Sequence, residues 1–262
     1  MEINNQSAFL ESTSIANRTI VNADKTTSIA EDIIVREHTM EILVNEKLVA
    51  RIVCTPSNLV ELVIGRLVTE GLINGTDDVE SIYVCQSACV IKVFLNKEIC
   101  LEEFLETEPT CCTGNQVLLR KKDVKPLKSL EKSNWKQEWI FGLANAFAGG
   151  SKIHKTTQGT HGCYLSVRGE VVFASEDIGR HNALDKAIGY ALMQKYPLCD
   201  CILFTTGRVP TDMVKKVVTA GFPVLVTKAV PTDEAVFMAK EYNLTLICRA
   251  WPDRYEIFHK AE

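Results

Sequence analysis

The sequence predicts an α/β protein in which a β-rich N-terminal part precedes a C-terminal part of alternating strands and helices. In the C-terminal part, short apolar runs near residues 201–205, 223–227 and 244–248 alternate with two amphipathic helical patterns. Such a βαβαβ order indicates parallel strands joined by right-handed crossovers. In the N-terminal part, two β-prone runs flank the turn at residues 45–47, which is typical of a hairpin.

The N-terminal part is predicted to hold four strands and one helix. Strands at 40–44 and 48–54 form the hairpin, an apolar helical stripe follows from Leu59 and ends at Gly71, and two more strands lie near 81–85 and 89–95. We assign residues 28–105 to this β-rich domain. Residues 1–27 are rich in Asn, Ser and Thr and are predicted to form a mobile tail.

Residues 106–132 are polar and charged, and we interpret them as a linker or loop. This segment contains two adjacent cysteines, Cys111 and Cys112. Neighbouring cysteines rarely form an unstrained disulfide, whereas an accessible thiolate is a nucleophile and sulfur acceptor. The pair therefore suggests sulfur or redox chemistry, and two incidental loop thiols are the alternative.

Composition and charge restrict the class of protein. The chain has 262 residues, 46% of them hydrophobic, which is enough for a sizeable core. The net charge of −4 gives no general attraction to nucleic acid or to an anionic membrane. There is no apolar run of about 20 residues and no secretory signal at the N-terminus, so we expect a cytoplasmic protein without membrane or nucleic-acid partners.

The ten cysteines fit a reducing cytosol better than a disulfide framework. Cys85 and Cys89 have the spacing of metal ligands, but their neighbours form strand patterns and no second pair follows at ligand spacing. We therefore expect no structural metal. Cys54, Cys201 and Cys248 are interpreted as buried strand thiols.

Residues 133–262 form the predicted C-terminal α/β domain. A helical stripe runs from Trp135 to Phe147, and a hairpin surrounds the turn at 168–170. The βαβαβ segment follows. Ligands of parallel sheets bind beyond the carboxyl ends of the strands, which directs attention to the loops at those ends.

Two of these loops carry a basic residue followed by Pro-Thr. Gly207 allows close backbone approach and Arg208 offers a planar fork for phosphate or carboxylate, while Lys228 is a point charge before a helix that Thr232 caps. Together they suggest an anion site. Generic helix caps and surface charges are the alternative explanation.

A polar cluster with the sequence EDIGRHN occupies residues 176–182, between a predicted strand and helix, and we expect it to be a solvent-accessible loop. It suits proton transfer or ligand binding through Asp177, Arg180 and His181. A helix start capped by Asn182 with Asp185 is the simpler explanation, although it leaves Arg180 and His181 unexplained. His161, in a glycine-bearing loop, is a further candidate for ligand binding or an ordinary surface histidine.

Taken together, these segments resemble one family. The matching pieces are CTP at 54–56, EGLI at 70–73, TQGTH at 157–161, EDIGRHNALDK at 176–186, TGR at 206–208, GFPVL at 221–225 and PT at 231–232. In order and spacing they resemble FdhD, the formate dehydrogenase accessory sulfurtransferases. The likeness runs from about residue 37 to the C-terminus.

The resemblance implies a cytidine-deaminase-like core with a mixed sheet, a smaller β-rich part and a homodimer. It implies that the protein takes persulfide sulfur from a cysteine desulfurase and passes it to molybdenum or tungsten in bis(molybdopterin guanine dinucleotide), for use by formate dehydrogenase. The zinc-deaminase signature is absent, so deamination is not expected.

The family pattern also implies roles for individual residues. Cys112 aligns with the first cysteine of the family's loop and is the expected persulfide carrier, with Cys111 as an assistant or substitute. Asn115 replaces the second loop cysteine, and Gln158 replaces a usual glycine. The residues implied to bind the cofactor are Val226, Thr227, Lys228, Ala229, Val230, Pro231, Gly207, Arg208, His161, Asp177, Arg180 and His181. A chaperone that binds the cofactor without moving sulfur, and a thiol redox switch, remain alternatives.

Overall fold

The computed structural model describes residues 1–8, 10–107, 113–122 and 126–262. Cys111 and Cys112 lie outside these residues. Within them the chain forms two mixed sheets, one small hairpin sheet and a set of helices. The predicted α/β class, with a mixed C-terminal sheet and a β-rich N-terminal part, is confirmed.

The N-terminal part is built on a seven-stranded sheet with the order β1-β6-β7-β4-β5-β9-β8. Its strands are β1 (Glu2–Asn5), β4 (His38–Val44), β5 (Lys47–Cys54), β6 (Val79–Val84), β7 (Val90–Leu95), β8 (Leu101–Thr107) and β9 (Gln116–Lys121). Strands β4 and β5 form the predicted hairpin, and Asn45 and Glu46 take the left-handed conformation that such a tight turn requires.

The C-terminal part is built on a six-stranded sheet with the order β11-β10-β12-β13-β14-β15. Its strands are β10 (His161–Val167), β11 (Glu170–Asp177), β12 (Cys201–Thr205), β13 (Val224–Thr227), β14 (Thr245–Trp251) and β15 (Arg254–His259). Strands β12, β13 and β14 are parallel, as their alternation with helices predicts. Strands β12 and β13 are buried along their whole length, which explains their continuous apolar runs.

The helices cover these sheets. Their bounds are α1 (Leu59–Thr69), α2 (Gln137–Ala148), α3 (Lys152–Thr157), α4 (Arg180–Met193), α5 (Thr211–Thr219) and α6 (Asp233–Glu241). Helix α1 of the N-terminal part packs on α4 of the C-terminal part, and one apolar cluster continues from one part into the other.

The crossing of α1 and α4 depends on two glycines. A Cβ atom on Gly65 would overlap the carbonyl of Asp185, and one on Gly189 would overlap the carbonyl of Glu61. The two backbones therefore approach more closely than any side chain would allow. This contact fixes the N-terminal part against the middle of α4, whose first turn carries several candidate site residues.

Two segments contain strands that the sequence analysis did not predict. The region assigned as a mobile tail holds β1, which pairs with β6, and β2 (Thr13–Val21), which forms a two-stranded sheet with β3 (Thr27–Val35). The region assigned as a linker holds β9, which pairs with β5 and β8. Residues on β1 and β2 are mostly exposed, so these strands lack the apolar alternation by which a strand is recognised in a sequence.

In the part of the chain that the structure describes, no helix is both long enough and apolar enough to cross a membrane.

Candidate functional site

A cleft of about 310 Å³ lies at the carboxyl ends of β12 and β13, where the topology of a parallel sheet predicts a ligand. Its walls come from the end of α3, the start of β10 and the loops after β12 and β13. The lining residues are His154, Gln158, Gly159, Thr160, His161, Thr206 and Lys228.

The wall formed by α3 is held in place by Glu176, at the end of β11. Its carboxylate accepts hydrogen bonds from the backbone N–H groups of Ile153 (3.0 Å) and His154 (2.7 Å) and from the hydroxyl of Thr160 (3.0 Å). The ring of His154 also contacts the carbonyl oxygen of Thr160 at 2.7 Å through Nδ1. Glu176 therefore satisfies the first N–H groups of α3 and ties that helix to the sheet.

The cleft is electropositive. Burial of His161 lowers the pKa of its imidazole, and the positive charges of Arg180, His154, His181 and Lys228 lower it further. A histidine that resists protonation for this reason lies in a field that favours an anion, because a bound negative charge would relieve the repulsion among the cations.

Lys228 lines the cleft. Its ammonium group lies 4.8 Å from the centre of the Phe147 ring, a cation–π distance. The loops that carry Lys228 and Gly207 are fastened together, because the hydroxyl of Thr227 donates to the carbonyl of Gly207 at 2.7 Å and Lys228 N–H donates to Thr205 O at 3.3 Å.

Arg180 and Gly207 touch behind the cleft. A Cβ atom on Gly207 would lie 2.8 Å from Cδ of Arg180, so the absence of a side chain lets the arginine stem lie along this loop. Arg180 is buried at the first position of α4, and the next residue, His181, contacts Asp212 of α5 at 3.1 Å through Nε2. Arg180 thus faces the loop after β12, while His181 is directed towards α5.

The expectation that the 176–182 cluster is a solvent-accessible loop is wrong. Asp177 and His181 are fully buried, and Arg180 is 6% exposed. Asp177 ends β11 and forms an ion pair with Lys186 at 2.7 Å. The cluster is buried because the N-terminal part covers it, a long-range contact that the local sequence does not reveal.

Asp177 is also the centre of a hydrogen-bond network between the two parts of the protein. Its carboxylate accepts from Thr55 N (3.0 Å) and Oγ1 (3.1 Å), from Gly179 N (2.9 Å) and from Asn182 Nδ2 (2.9 Å). Asn182 also donates to Val53 O at 2.8 Å, so it joins β5 to α4 and does not cap the helix, whose N-cap residue is Gly179. The proposed capping pair is therefore also wrong.

A second buried network lies deeper between α1, α4 and α5. The carboxylate of Asp185 contacts Nζ of Lys216 at 3.0 Å, the hydroxyl of Thr69 at 3.0 Å and Nη1 of Arg66 at 3.5 Å. Lys216 also approaches Glu70 at 3.5 Å. These charged groups are paired within the fold, which accounts for Asp185 without a ligand.

The remaining predicted cofactor-binding residues are more scattered. Val226 and Thr227 are buried in the sheet, Ala229 and Pro231 are partly buried, and Arg208 and Val230 are exposed. Of the twelve residues, His161 and Lys228 line the cleft directly, and Gly207 and Arg180 lie behind it. Sequence analysis missed His154 as a wall residue, because a histidine in a short helix carries no motif.

The chain that follows the cysteine pair returns to the described structure beside the start of α4. A Cβ atom on Gly179 would lie 3.4 Å from Cγ2 of Thr113. The hydroxyl of Thr113 donates to Asn115 Oδ1 at 3.0 Å, and Asn115 is fully buried. Its side chain accepts from Val53 N at 3.0 Å and donates to Asn182 Oδ1 at 2.7 Å. Asn115 is thus a fixed structural amide.

The strand cysteines are unsuited to nucleophilic chemistry. Cys54, Cys201 and Cys248 are buried as predicted, and so is Cys163. Burial raises the pKa of the Cys201 and Cys248 thiols to about 12 and raises the pKa of Cys54 and Cys163 further. Across the described residues, no three His, Cys, Asp or Glu side chains are grouped to hold a metal ion.

Comparisons with known proteins agree with this architecture. The family model described as the FdhD/NarQ family matches residues 35–262. The sulfur carrier protein FdhD of Halalkalibacterium halodurans is 35% identical over 237 residues, covering 88% of each chain. The protein of the same name from Listeria innocua is 30% identical over 238 residues, covering 88% of this chain and 91% of that one.

A crystal structure from Desulfotalea psychrophila, described as a candidate formate dehydrogenase accessory protein, has the same fold. It superposes with a TM-score of 0.75 and 22% identity, covering 95% of this chain and 97% of that one. The family match extends over the six-stranded sheet, over every strand of the seven-stranded sheet except β1, and over α1, α4 and the whole cleft. This chain belongs to the FdhD/NarQ family.

Proposed function

We propose that this protein is a cytoplasmic, homodimeric sulfur carrier that serves formate dehydrogenase. It takes persulfide sulfur from a cysteine desulfurase onto Cys112 and passes it to the molybdenum or tungsten of bis(molybdopterin guanine dinucleotide). Two of its relatives bear the name sulfur carrier protein FdhD, which supports the sulfur-transfer role.

The observation that carries the proposal is the closeness of the electropositive cleft to the chain that follows Cys112. Gly179 contacts Thr113, and Arg180, which follows Gly179, packs against Gly207. The loop of Gly207 is in turn hydrogen-bonded to the loop of Lys228. Because Cys112 is covalently joined to Thr113, a persulfide on Cys112 is tethered close to this row of contacts.

The chemistry of the cleft fits the anionic part of a pterin dinucleotide. Lys228 supplies positive charge, with the buried Arg180 close to His161, and the neutral imidazole of His161 can donate a hydrogen bond to a phosphate. A volume of about 310 Å³ is at the small end of the usual range for ligand pockets, so the cleft takes one nucleotide portion and the rest of the cofactor extends outside it.

Sulfur loading is a displacement at the outer sulfur of the donor persulfide. The Cys112 thiolate attacks that sulfur, a new S–S bond forms on Cys112, and the desulfurase cysteine leaves as a thiolate. The buried thiols Cys54, Cys163, Cys201 and Cys248 do not compete, because burial raises their pKa values and prevents access to the donor.

Mass spectrometry after incubation with a cysteine desulfurase and cysteine tests the proposal. We expect one added sulfur on the peptide that contains residues 111 and 112. Cys112→Ala should abolish activation of formate dehydrogenase, Cys111→Ala should have a milder effect, and Cys199→Ala, at an exposed cysteine elsewhere, serves as the matched control. Full activity in Cys112→Ala with loss in Cys111→Ala would instead assign the persulfide to Cys111.

A chaperone that binds the cofactor without moving sulfur is the second candidate. It is favoured by Asn115, which occupies the place of the second loop cysteine and is locked by hydrogen bonds to Val53 and Asn182. A two-cysteine relay through that position therefore cannot operate. Nucleotide binding in a chain that gains no sulfur from the desulfurase would support the chaperone, and a reversible Cys111–Cys112 change under oxidant would support a redox switch.

A further inference from the structure

The turn between β6 and β7 contains a second pair of cysteines, Cys85 and Cys89, which neither the cleft nor the 111–112 pair involves. Cys85 is half-buried and Cys89 is exposed. Several hydrogen bonds hold the turn. Ala88 N–H donates to Cys85 O at 2.9 Å, Ala88 adopts a left-handed conformation with φ 57°, and His38 Nε2 contacts Ala88 O at 2.9 Å.

The turn surrounds one sulfur atom with donors. The N–H of Val90 donates to Cys85 Sγ at 3.2 Å, and the hydroxyl of Ser87 lies 3.4 Å from the same sulfur. The Cys89 thiol, in contrast, donates to the carbonyl of Ser87 at 3.5 Å. Both thiols therefore contact Ser87, and the surroundings favour a thiolate at Cys85 and a thiol at Cys89.

The balance of effects on Cys85 supports this assignment. Partial desolvation acts against the thiolate, but the hydrogen bonds from Ser87 and from the backbone at Val90, Cys89 and Ser87 outweigh it and lower the pKa of Cys85. Burial, together with the negative charges of Asp200 and Cys199, raises the pKa of the strand thiol Cys201 to about 12, a shift in the opposite direction.

The turn lies at the same end of the strands as the residues that follow Cys112. Val90 of β7, Glu41 of β4, Arg51 of β5 and Gln116 of β9 form one row across the sheet. Three strand spacings separate the first from the last, which is roughly 15 Å. Strands β7 and β9 both run in the direction of β4, so the residues just before Val90 and those just before Gln116 lie at the same end of the sheet.

We propose that Cys85 is a second acceptor of sulfane sulfur in this protein and that Cys89 resolves the persulfide formed there. The ligand class is a persulfide or polysulfide. The proposal does not depend on Cys111 or Cys112, and its failure would leave the function proposed above intact.

Both steps are thiol–disulfide exchanges in which atoms and electrons balance. The Cys85 thiolate attacks the outer sulfur of a donor persulfide, an S–S bond forms on Cys85, and the donor leaves as a thiolate. The Cys89 thiolate then attacks Sγ of Cys85 and hydrosulfide leaves. The released sulfur gains two electrons, which the two cysteines supply as they form a disulfide.

The test uses a Cys111→Ser/Cys112→Ser chain treated with inorganic tetrasulfide, followed by alkylation and peptide mass spectrometry. We expect a Cys85–Cys89 disulfide together with released hydrosulfide. In the same chain with Cys89→Ser added, we expect one extra sulfur on Cys85. The exposed cysteines Cys100 and Cys199 report non-selective sulfuration within each sample. In the chain with Cys89→Ser, equal sulfur on Cys85, Cys100 and Cys199, or none on Cys85, would overturn the proposal.

A second measurement tests the role of the turn itself. The alkylation rate of Cys85 should reach half its maximum at a pH below about 8.5, the ordinary pKa of a free thiol. Ser87→Ala should move this midpoint upwards and slow alkylation at pH 7 roughly two- to threefold, because the gain in nucleophilicity offsets part of the lost thiolate. Ser28→Ala, at an exposed serine of β3, is the matched control. An unchanged midpoint in Ser87→Ala would show that the turn does not activate Cys85.

Discussion

Replacing Lys186 by methionine should destabilise the protein strongly, although this lysine lies within a sequence string that suggests a ligand site. Its ammonium group pairs with Asp177 at 2.7 Å, and both side chains are fully buried. It also donates to Thr55 Oγ1 at 2.9 Å and lies 3.2 Å from Glu176 O. Methionine retains the length and apolar stem of lysine but removes the charge and every one of these donors.

The magnitude follows from the burial of the pair. Removing one partner leaves an uncompensated charge in the interior, which typically costs about 3–5 kcal/mol of unfolding free energy. For a chain of this size, that is a fall in Tm of roughly 6–20 °C. Asp177→Asn added to Lys186→Met removes the uncompensated charge, so the double variant should be more stable than the sum of the two single effects by about 0.5–3 kcal/mol.

Urea unfolding at one fixed protein concentration measures these free energies, with the slope of the transition checked for each variant. Asp32→Asn is the matched control, because its partner Arg18 lies 3.0 Å away in an exposed ion pair worth at most about 1 kcal/mol. If Lys186→Met costs no more than Asp32→Asn, the ion pair is not a structural link and the 176–186 string belongs to the ligand site after all.

Three further perturbations test separate parts of the structure. Gly65→Ala should destabilise the protein, because the added Cβ would overlap α4. Gly142→Ala has open space around it and should stabilise α2 by up to about 1 kcal/mol. Thermal unfolding of the two variants distinguishes the effect of close packing from that of helix propensity. By NMR, the pKa of His161 should lie below about 6.5 and should rise when GDP, which carries the guanine nucleotide part of the proposed cofactor, binds. Because the folded pKa is depressed, the contribution of His161 to stability is complete above about pH 6.5 and is lost as the pH falls towards the folded pKa. A His161 titration that GDP leaves unchanged would place the anion elsewhere. In calorimetry, Lys228→Ala should weaken GDP binding by about 1.5–3 kcal/mol. Arg208→Ala should have a smaller effect, because the Arg208 side chain is exposed and does not line the cleft. The reverse order of effects would move the site to the loop of Arg208.

The sequence predicts the C-terminal sheet well because burial there leaves a local pattern. Each residue of Cys201–Thr205 and Val224–Thr227 is buried, so these strands appear as short apolar runs between helices. The exposed strands Glu2–Asn5 and Thr13–Val21 leave no such pattern. Their pairing depends on partners distant in the chain, which a local window cannot include.

For the candidate site too, the sequence predicts some residues correctly and others wrongly. Lys228 is found from the sequence because the ends of parallel strands are known ligand positions, and His161 because it lies in a glycine-bearing loop; both line the cleft. Asp177 was misassigned as accessible because a charged residue in a turn-forming string usually faces solvent. Only the position of Thr55, more than a hundred residues earlier, shows that this carboxylate lies between the two parts of the protein.

The string from Glu176 to Lys186 therefore has two roles that a loss of activity alone cannot separate. Glu176 holds the wall of the cleft and Arg180 lies along the loop of Gly207, whereas Asp177 and Lys186 hold the N-terminal part in place. Since Thr113 follows Cys112 and contacts Gly179, weakening the Asp177–Lys186 link should also shift Thr113, the residue next to the proposed sulfur carrier. A variant in this string informs on ligand binding only where its unfolding free energy stays close to that of the parent chain.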